Sequence, residues 1–125
     1  MAAKSRNIEV KGISVSVFHT NQDDYISLTD IAKSKEGDSR AADIIKNWTR
    51  NRATIEFIGT WEQIHNPNFK VVEFDYFRMN AGTTSFVLSP GKWIDKTNAK
   101  GIVVKSGRYG GTYAHRDTAT SKGKF

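Results

Sequence analysis

The chain has 125 residues, of which 38% are hydrophobic, and it carries a formal net charge of +6. This length suits one compact domain with a single core. The absence of cysteine excludes disulfides, thiol catalysis and a cysteine-ligated zinc site. Residues 1–6 lack the apolar stretch of a signal peptide, and no apolar run approaches the ~18 residues of a membrane span. We therefore expect a soluble, cytoplasmic protein with no membrane partner.

Positive charge is concentrated in two segments. Six basic and three acidic residues lie between positions 33 and 54, and six basic residues and one acidic residue lie between 100 and 125. The intervening segment, 55–99, has four basic and five acidic residues. The two basic segments would form one basic face if the fold brought them together. A polyanionic partner such as a nucleic acid is therefore favoured.

The N-terminal part of the chain predicts β-structure followed by a capped helix. Apolar residues alternate with serines in 13–17, which is typical of a strand with one buried side. Ser27 and Asp30 predict a capping box: the Ser27 hydroxyl accepts the Asp30 N–H, and the Asp30 carboxylate accepts the Ser27 N–H. A short helix is expected over 28–34.

Further helices are predicted between positions 39 and 98. Residues 39–51 have apolar side chains at helical spacing and a polar opposite side. Thr54 is the candidate N-cap of the next helix, and residues 71–81 suit a third. Ser89 followed by Pro90 predicts a helix that begins there and ends near Asn98. The tryptophans of these helices lie on the apolar sides and are predicted to pack in the core rather than on bases: Trp48, Trp61 and Trp93.

The last quarter of the chain predicts a β-hairpin. Residues 102–104 are β-branched and indicate a strand, 106–111 form a glycine-rich turn, and 112–114 can return as the partner strand. Residues 118–125 are polar and uncapped, so we expect them to fray.

The sequence offers little for catalysis. The acidic pairs at positions 23–24 and 73/75 have no lysine or histidine placed beside them as a nuclease would need. No metal-ligand spacing connects the histidines His19, His65 and His115. We therefore expect no catalytic residue, no metal and no cofactor.

Four segments carry recognisable motifs. They are residues 25–33 (Tyr-Ile-Ser-Leu-Thr-Asp-Ile-Ala-Lys), 48–69 (beginning Trp-Thr-Arg-Asn-Arg), 85–94 (Ser-Phe-Val-Leu-Ser-Pro-Gly-Lys-Trp-Ile) and 107–117 (Gly-Arg-Tyr-Gly-Gly-Thr-Tyr-Ala-His-Arg-Asp). In this order they resemble the KilA-N domain of phage, bacterial and large-virus proteins, which is similar to the DNA-binding domain of fungal APSES transcription regulators. The sequence departs from the family at its end, where 118–125 replaces an aliphatic-rich helix, and at Thr49, where an aliphatic residue is common.

The resemblance implies an α+β fold: a small antiparallel sheet, a helix-turn-helix-like pair (28–34 and 39–51) and a β-hairpin wing (105–113) that approach DNA together. It also implies domain boundaries. Residues 25–117 are the KilA-N-like core, 1–24 are an N-terminal strand region of the same domain, and 118–125 are a flexible C-terminal tail.

Two elements supply the candidate DNA-binding residues. On the polar side of 39–52, arginine and lysine can neutralise phosphates, and an asparagine can contact adenine through two hydrogen bonds. In the wing, glycine lets the backbone approach a phosphate. The alternatives are a solvated helix face, with Asp43 paired to Lys46 or Lys35, and a plain hairpin turn. The candidates are Arg40, Lys46, Asn47, Arg50, Arg52, Lys105, Arg108 and Tyr109.

The sequence therefore predicts a DNA-binding protein without chemistry of its own, whose partner is double-stranded DNA. A transcription regulator or antirepressor of phage or mobile-element type fits this description. A protein-interaction module, such as an antirepressor that binds a repressor instead of DNA, is the first alternative, and a nuclease is the second. The sequence determines neither the DNA site nor the oligomeric state.

Overall fold

A computed structural model describes residues 4–10, 13–20, 23–37, 40–83, 85–106 and 110–119. It has an α+β fold, as predicted. The strands are β1 (Lys4–Val10), β2 (Ile13–Thr20), β3 (Asp23–Ser27), β4 (Ile102–Lys105) and β5 (Gly111–His115). The helices are α1 (Leu28–Glu36), α2 (Ala41–Thr49), α3 (Arg52–His65), α4 (Val71–Asn80), α5 (Pro90–Thr97) and α6 (Arg116–Ala119).

The five strands form one antiparallel sheet in the order β1-β2-β3-β5-β4. Strand β5 therefore pairs with β4, as the predicted hairpin requires, and also with β3, which leads directly into α1. Because side chains alternate along a strand, Ile102 and Ala114 face the main core while Val103 and Tyr113 point to the opposite side. A second, smaller cluster forms there around Phe18, Tyr25 and Tyr113.

The main core lies between the sheet and the helices. Trp48, Trp61 and Trp93 are 8%, 7% and 0% exposed, which confirms their predicted burial. Close helix packing depends on Gly59 in α3, where an added Cβ would lie 2.1 Å from the Phe74 ring of α4. Any larger residue at this position would push α3 and α4 apart.

Two predicted helix caps differ from those in the structure. The Ser27 hydroxyl accepts the Asp30 N–H at 3.0 Å as expected, but the Asp30 carboxylate accepts the Ser16 N–H of β2 at 2.8 Å instead of reaching back. The N-cap of α3 is Asn51, whose side chain accepts the N–H groups of Ala53 and Thr54. Thr54 is therefore a buried residue of the first turn and does not cap the helix.

The later helix boundaries follow the sequence signals. The Ser89 hydroxyl accepts the Lys92 N–H at 3.2 Å, and Pro90 is the first residue of α5. Helix α5 ends at Thr97, and its C-cap Asn98 adopts the left-handed conformation (φ 61°) common after a helix. Helix α2 is shorter than the predicted span of 39–51 because its polypeptide turns at Arg50 and Asn51 to begin α3.

Helix α6 includes the first two residues of the predicted tail, 118 and 119. Thr118, expected to be flexible, is 2% exposed within α6, which contacts β3, β5 and α3. Helix α6 continues directly from β5 and packs on the sheet. Residues 120–125 of the predicted tail lie outside the described residues. Thr49, also unusual for the family, is fully buried and donates its hydroxyl to the Leu88 carbonyl.

Candidate nucleic-acid interface

Helix α1 connects the two elements that were predicted to approach DNA. It packs against both α2 and β5 of the hairpin. At the hairpin, the Thr112 N–H donates to the Thr29 hydroxyl at 2.9 Å. Gly111 comes so close that an added Cβ would lie 2.9 Å from the same oxygen. Helix α1 therefore contacts both α2 and the base of the wing, which are about sixty residues apart in sequence.

The polar side of α2 faces solvent as the helical spacing predicted. Ala41, Ile45 and Trp48 are buried, whereas Lys46 and Asn47 are exposed, as is Arg40 at the start of the helix. Asp43 is also exposed, and the Asp43–Lys46 ion pair of the alternative interpretation does not form between these two described residues. Three of the candidate DNA-binding side chains thus lie together on an accessible helix surface: Arg40, Lys46 and Asn47.

Arg50 and Arg52 lie beyond the C-terminal end of α2 and make contacts within the chain. The Arg50 guanidinium is half-exposed and donates to the Thr83 carbonyl at 3.4 Å. The Arg52 Nε lies 3.6 Å from a Glu56 carboxylate oxygen, one turn further along α3. The contact of Arg52 is an exposed ion pair of the kind that contributes little to stability.

Lys105, predicted as a DNA-binding residue of the wing, lies over aromatic rings. Its ammonium lies 3.7 Å from the centre of the Phe18 ring and 5.2 Å from that of Tyr113. Such cation–π contacts hold the charge above the second cluster, on the face of the sheet opposite the main core. The two other wing candidates, Arg108 and Tyr109, lie outside the described residues.

A polar cleft of about 650 Å³ lies between α1 and the base of the wing. Its lining includes Lys33, Asp30, Lys105 and Tyr113. Burial, and secondly the Asp30 carboxylate, raise the pKa of Tyr113 above its ordinary value of 10.0, so its phenol is protonated at neutral pH. Lys33 belongs to the first basic segment, but it is not among the DNA-binding residues predicted from the sequence. Only the packing of α1 beside the hairpin reveals that Lys33 and Lys105 share one cleft.

The model of the KilA-N domain family matches residues 8–122, nearly the whole chain. The chain belongs to the KilA-N domain family. This family is a DNA-binding one, and its match includes all four segments on which the resemblance was based. No curated protein and no solved structure matches the chain. In the part of this KilA-N domain that the structure describes, no helix has the length and apolar character needed to span a membrane.

The KilA-N domain contains a buried carboxylate that sequence reasoning missed. Glu62 of α3 is 1% exposed, and its oxygens accept the Gly101 N–H at 2.6 Å, the Lys100 N–H at 3.0 Å and the Asn66 side-chain amide at 2.9 Å. These hydrogen bonds to a charged acceptor offset the cost of its burial and hold the turn that leads into β4. The sequence does contain a signal for this burial: Glu62 lies four positions after Ile58, on the apolar side of α3.

The Ala-His-Arg-Asp motif of the KilA-N domain is a structural junction. His115 is 3% exposed; its Nε2 lies 3.0 Å from an Asp23 carboxylate oxygen, and its Nδ1 accepts the Asp117 N–H at 3.1 Å. The Asp117 carboxylate in turn accepts the indole N–H of Trp61 at 3.1 Å. The motif therefore joins β3, β5, α6 and α3. Among the described residues, no cluster of three or more histidine and acidic side chains could hold a metal ion.

Proposed function

We propose that this KilA-N domain is a transcription regulator of phage or mobile-element type that binds double-stranded DNA without catalysis. One observation carries the proposal: α1, which lines the polar cleft at the base of the wing, packs against both β5 and α2, the helix whose polar side is exposed. This arrangement corresponds to a winged helix-turn-helix, in which α2 enters a groove while the wing follows the backbone.

We assign base recognition to α2. Asn47 is exposed on the polar side of the helix, and its amide can both donate to and accept from adenine in the major groove. Arg40 and Lys46, exposed on the same element, would neutralise phosphates on either side. Arg50 and Arg52 extend this positive surface past the end of the helix.

We assign backbone contacts to the cleft and the wing. Lys33 is exposed on α1, and it lines the cleft together with Lys105 of β4. The protonated Tyr113 phenol is a hydrogen-bond donor that a phosphate can use. Arg108 and Tyr109 would continue these contacts at the tip of the wing.

The structure corrects the prediction that no histidine lies beside the acidic pair at positions 23–24. Asp24 lies 2.7 Å from His19, and Asp23 lies 3.0 Å from His115. At the other pair, Asp75 binds Arg78 at 3.0 Å. A metal ion at Asp23, Asp24 or Asp75 would have to compete with these contacts, which supports the non-catalytic proposal.

The experiment begins with selection of bound duplexes from a random pool, followed by a salt titration of the selected duplex. If about five phosphates are neutralised, log K should fall with log salt at a slope of roughly −4 to −5. Binding that is insensitive to salt, or a failure to select any duplex, would instead support the protein-binding antirepressor. Incubation of the duplex with and without Mg²⁺ tests the nuclease, which would release cleaved strands.

A further inference from the structure

Helix α4 has an apolar side that its own chain does not cover. Phe74 and Phe77 pack into the main core, but Val72, Tyr76 and Met79 are 80%, 62% and 74% exposed. Their spacing of four and three residues places them in one row along the helix, here called the α4 stripe. A helix that only covered the core would have polar residues on this side.

A shallow hollow of about 290 Å³ adjoins the stripe. Its lining includes Tyr76 and Asn80 of α4, Val87 of the segment before α5, and Lys92 of α5. Val87 is 63% exposed and extends the apolar surface, whereas Lys92 supplies a positive charge at its edge. Glu73 lies at the opposite end of α4. Neither Glu73 nor Lys92 forms an ion pair with another described residue.

We propose that the α4 stripe is a dimer interface, on which α4 of a second copy packs antiparallel about a twofold axis near Tyr76. A twofold interface requires a surface that complements itself. In this arrangement the two Tyr76 rings meet at the axis, and the short Val72 side chain lies opposite the long Met79 side chain of the second copy. The opposed direction of the two helices also aligns their dipoles favourably.

The charges near the stripe complement each other in the same arrangement. Glu73 and Asn80 lie two turns apart on one flank of α4, so antiparallel packing brings Glu73 of one copy to Asn80 of the other. Asn80 and Lys92 line the same hollow. Each Glu73 carboxylate therefore reaches the hollow that contains Lys92 of the other copy, and the twofold axis forms this pair twice.

The exposed area indicates how strong the dimer is. The stripe and Val87 expose on the order of 450 Å² of apolar surface, within the range of the largest patches found on monomers. Two copies would bury on the order of 1,000 Å² in total, near the lower limit for a specific interface. We therefore infer a reversible dimer that dissociates at micromolar concentrations rather than an obligate one.

Sedimentation equilibrium of the full chain, without DNA, tests this interface. The unmodified protein should associate to a dimer between low micromolar and near-millimolar concentrations. Met79→Glu should raise the dissociation constant at least about tenfold, because it buries a charge in an apolar contact. Ile64→Glu is the matched control: Ile64 is 71% exposed but lies on α3, so this change should leave the dimer unaffected. Circular dichroism checks that both variants fold.

A charge exchange tests the antiparallel arrangement. Glu73→Lys and Lys92→Glu should each weaken the dimer by about three- to tenfold, and the double variant should recover most of that loss. Failure of the double variant to recover would overturn the antiparallel arrangement. A protein that stays monomeric throughout, or one that Ile64→Glu weakens as much as Met79→Glu, would overturn the interface itself.

Discussion

Replacing Glu62 with alanine should destabilise the domain more than replacing any other acidic or exposed residue of α3 with alanine. The change removes the acceptor of three donors: the Gly101 N–H, the Lys100 N–H and the Asn66 amide. Each buried donor left without a partner costs about 1–3 kcal/mol. Since water can reach the part-buried Lys100 site, we expect a total loss of roughly 3–5 kcal/mol, a large part of the stability of a small domain.

Urea unfolding followed by tryptophan fluorescence measures this loss. The matched control is Glu56→Ala on the same helix: Glu56 is 53% exposed and pairs only with Arg52 at 3.6 Å among the contacts described, so its loss should cost less than about 1 kcal/mol. The stability loss of Glu62→Gln should be intermediate between those of Glu62→Ala and Glu56→Ala, because glutamine keeps one acceptor oxygen. If Glu62→Ala and Glu56→Ala unfold at the same urea concentration, the carboxylate does not hold the turn before β4, and the reasoning is wrong.

Three further predictions concern DNA binding and pH. Asn47→Ala should cost about 1–3 kcal/mol on the selected duplex and less on random DNA, measured by fluorescence anisotropy; equal losses on both would remove Asn47 from base recognition. Arg108→Ala should weaken binding to both DNAs similarly and make the salt slope shallower by about one unit; a loss confined to the selected duplex would instead show that the wing reads bases. Burial first, and then Asp23 and Glu62, raise the pKa of Tyr25 above 10.0, and that of Tyr113 is also raised. Because unfolded tyrosine ionises first, this contribution to stability is complete below pH 10.0 and is lost as the pH rises through the folded pKa values. The urea concentration at the unfolding midpoint should therefore decrease as the pH rises above about 10, and Tyr25→Phe should make this decrease smaller. An equal decrease in the variant and the unmodified protein would contradict the role of Tyr25.

Local signals in the sequence were sufficient for most of the elements. The apolar spacing of α2 predicted which side of the helix is buried, and Ser89 with Pro90 predicted where α5 begins. Both signals depend only on residues within one or two helical turns of each other, so the local sequence is sufficient to predict them. Thr54 shows the limit of such signals: Asn51, three residues earlier, is an equally good cap, and the short connection from α2 makes it the one used.

Contacts between distant segments could not be inferred in this way. The Asp30 carboxylate has an obvious local partner in the Ser27 N–H but binds the Ser16 N–H, because β2 lies beside the start of α1. Lys105 looked like a free cation in a glycine-rich wing, yet its ammonium lies over the Phe18 ring, from a strand almost ninety residues earlier.

The sequence by itself determined the α+β class, the amphipathic helices, the hairpin and the family to which the chain belongs. The helices and the hairpin follow from patterns that extend over a few neighbouring residues, and the fold class and family follow from four motifs in a fixed order along the chain. Only the tertiary structure decided that α1 contacts both α2 and the wing, that Lys33 and Lys105 share a cleft, and that Glu62 is buried beneath the turn before β4. Each of these depends on side chains from segments that the sheet order β1-β2-β3-β5-β4 brings together, and no local pattern specifies that order.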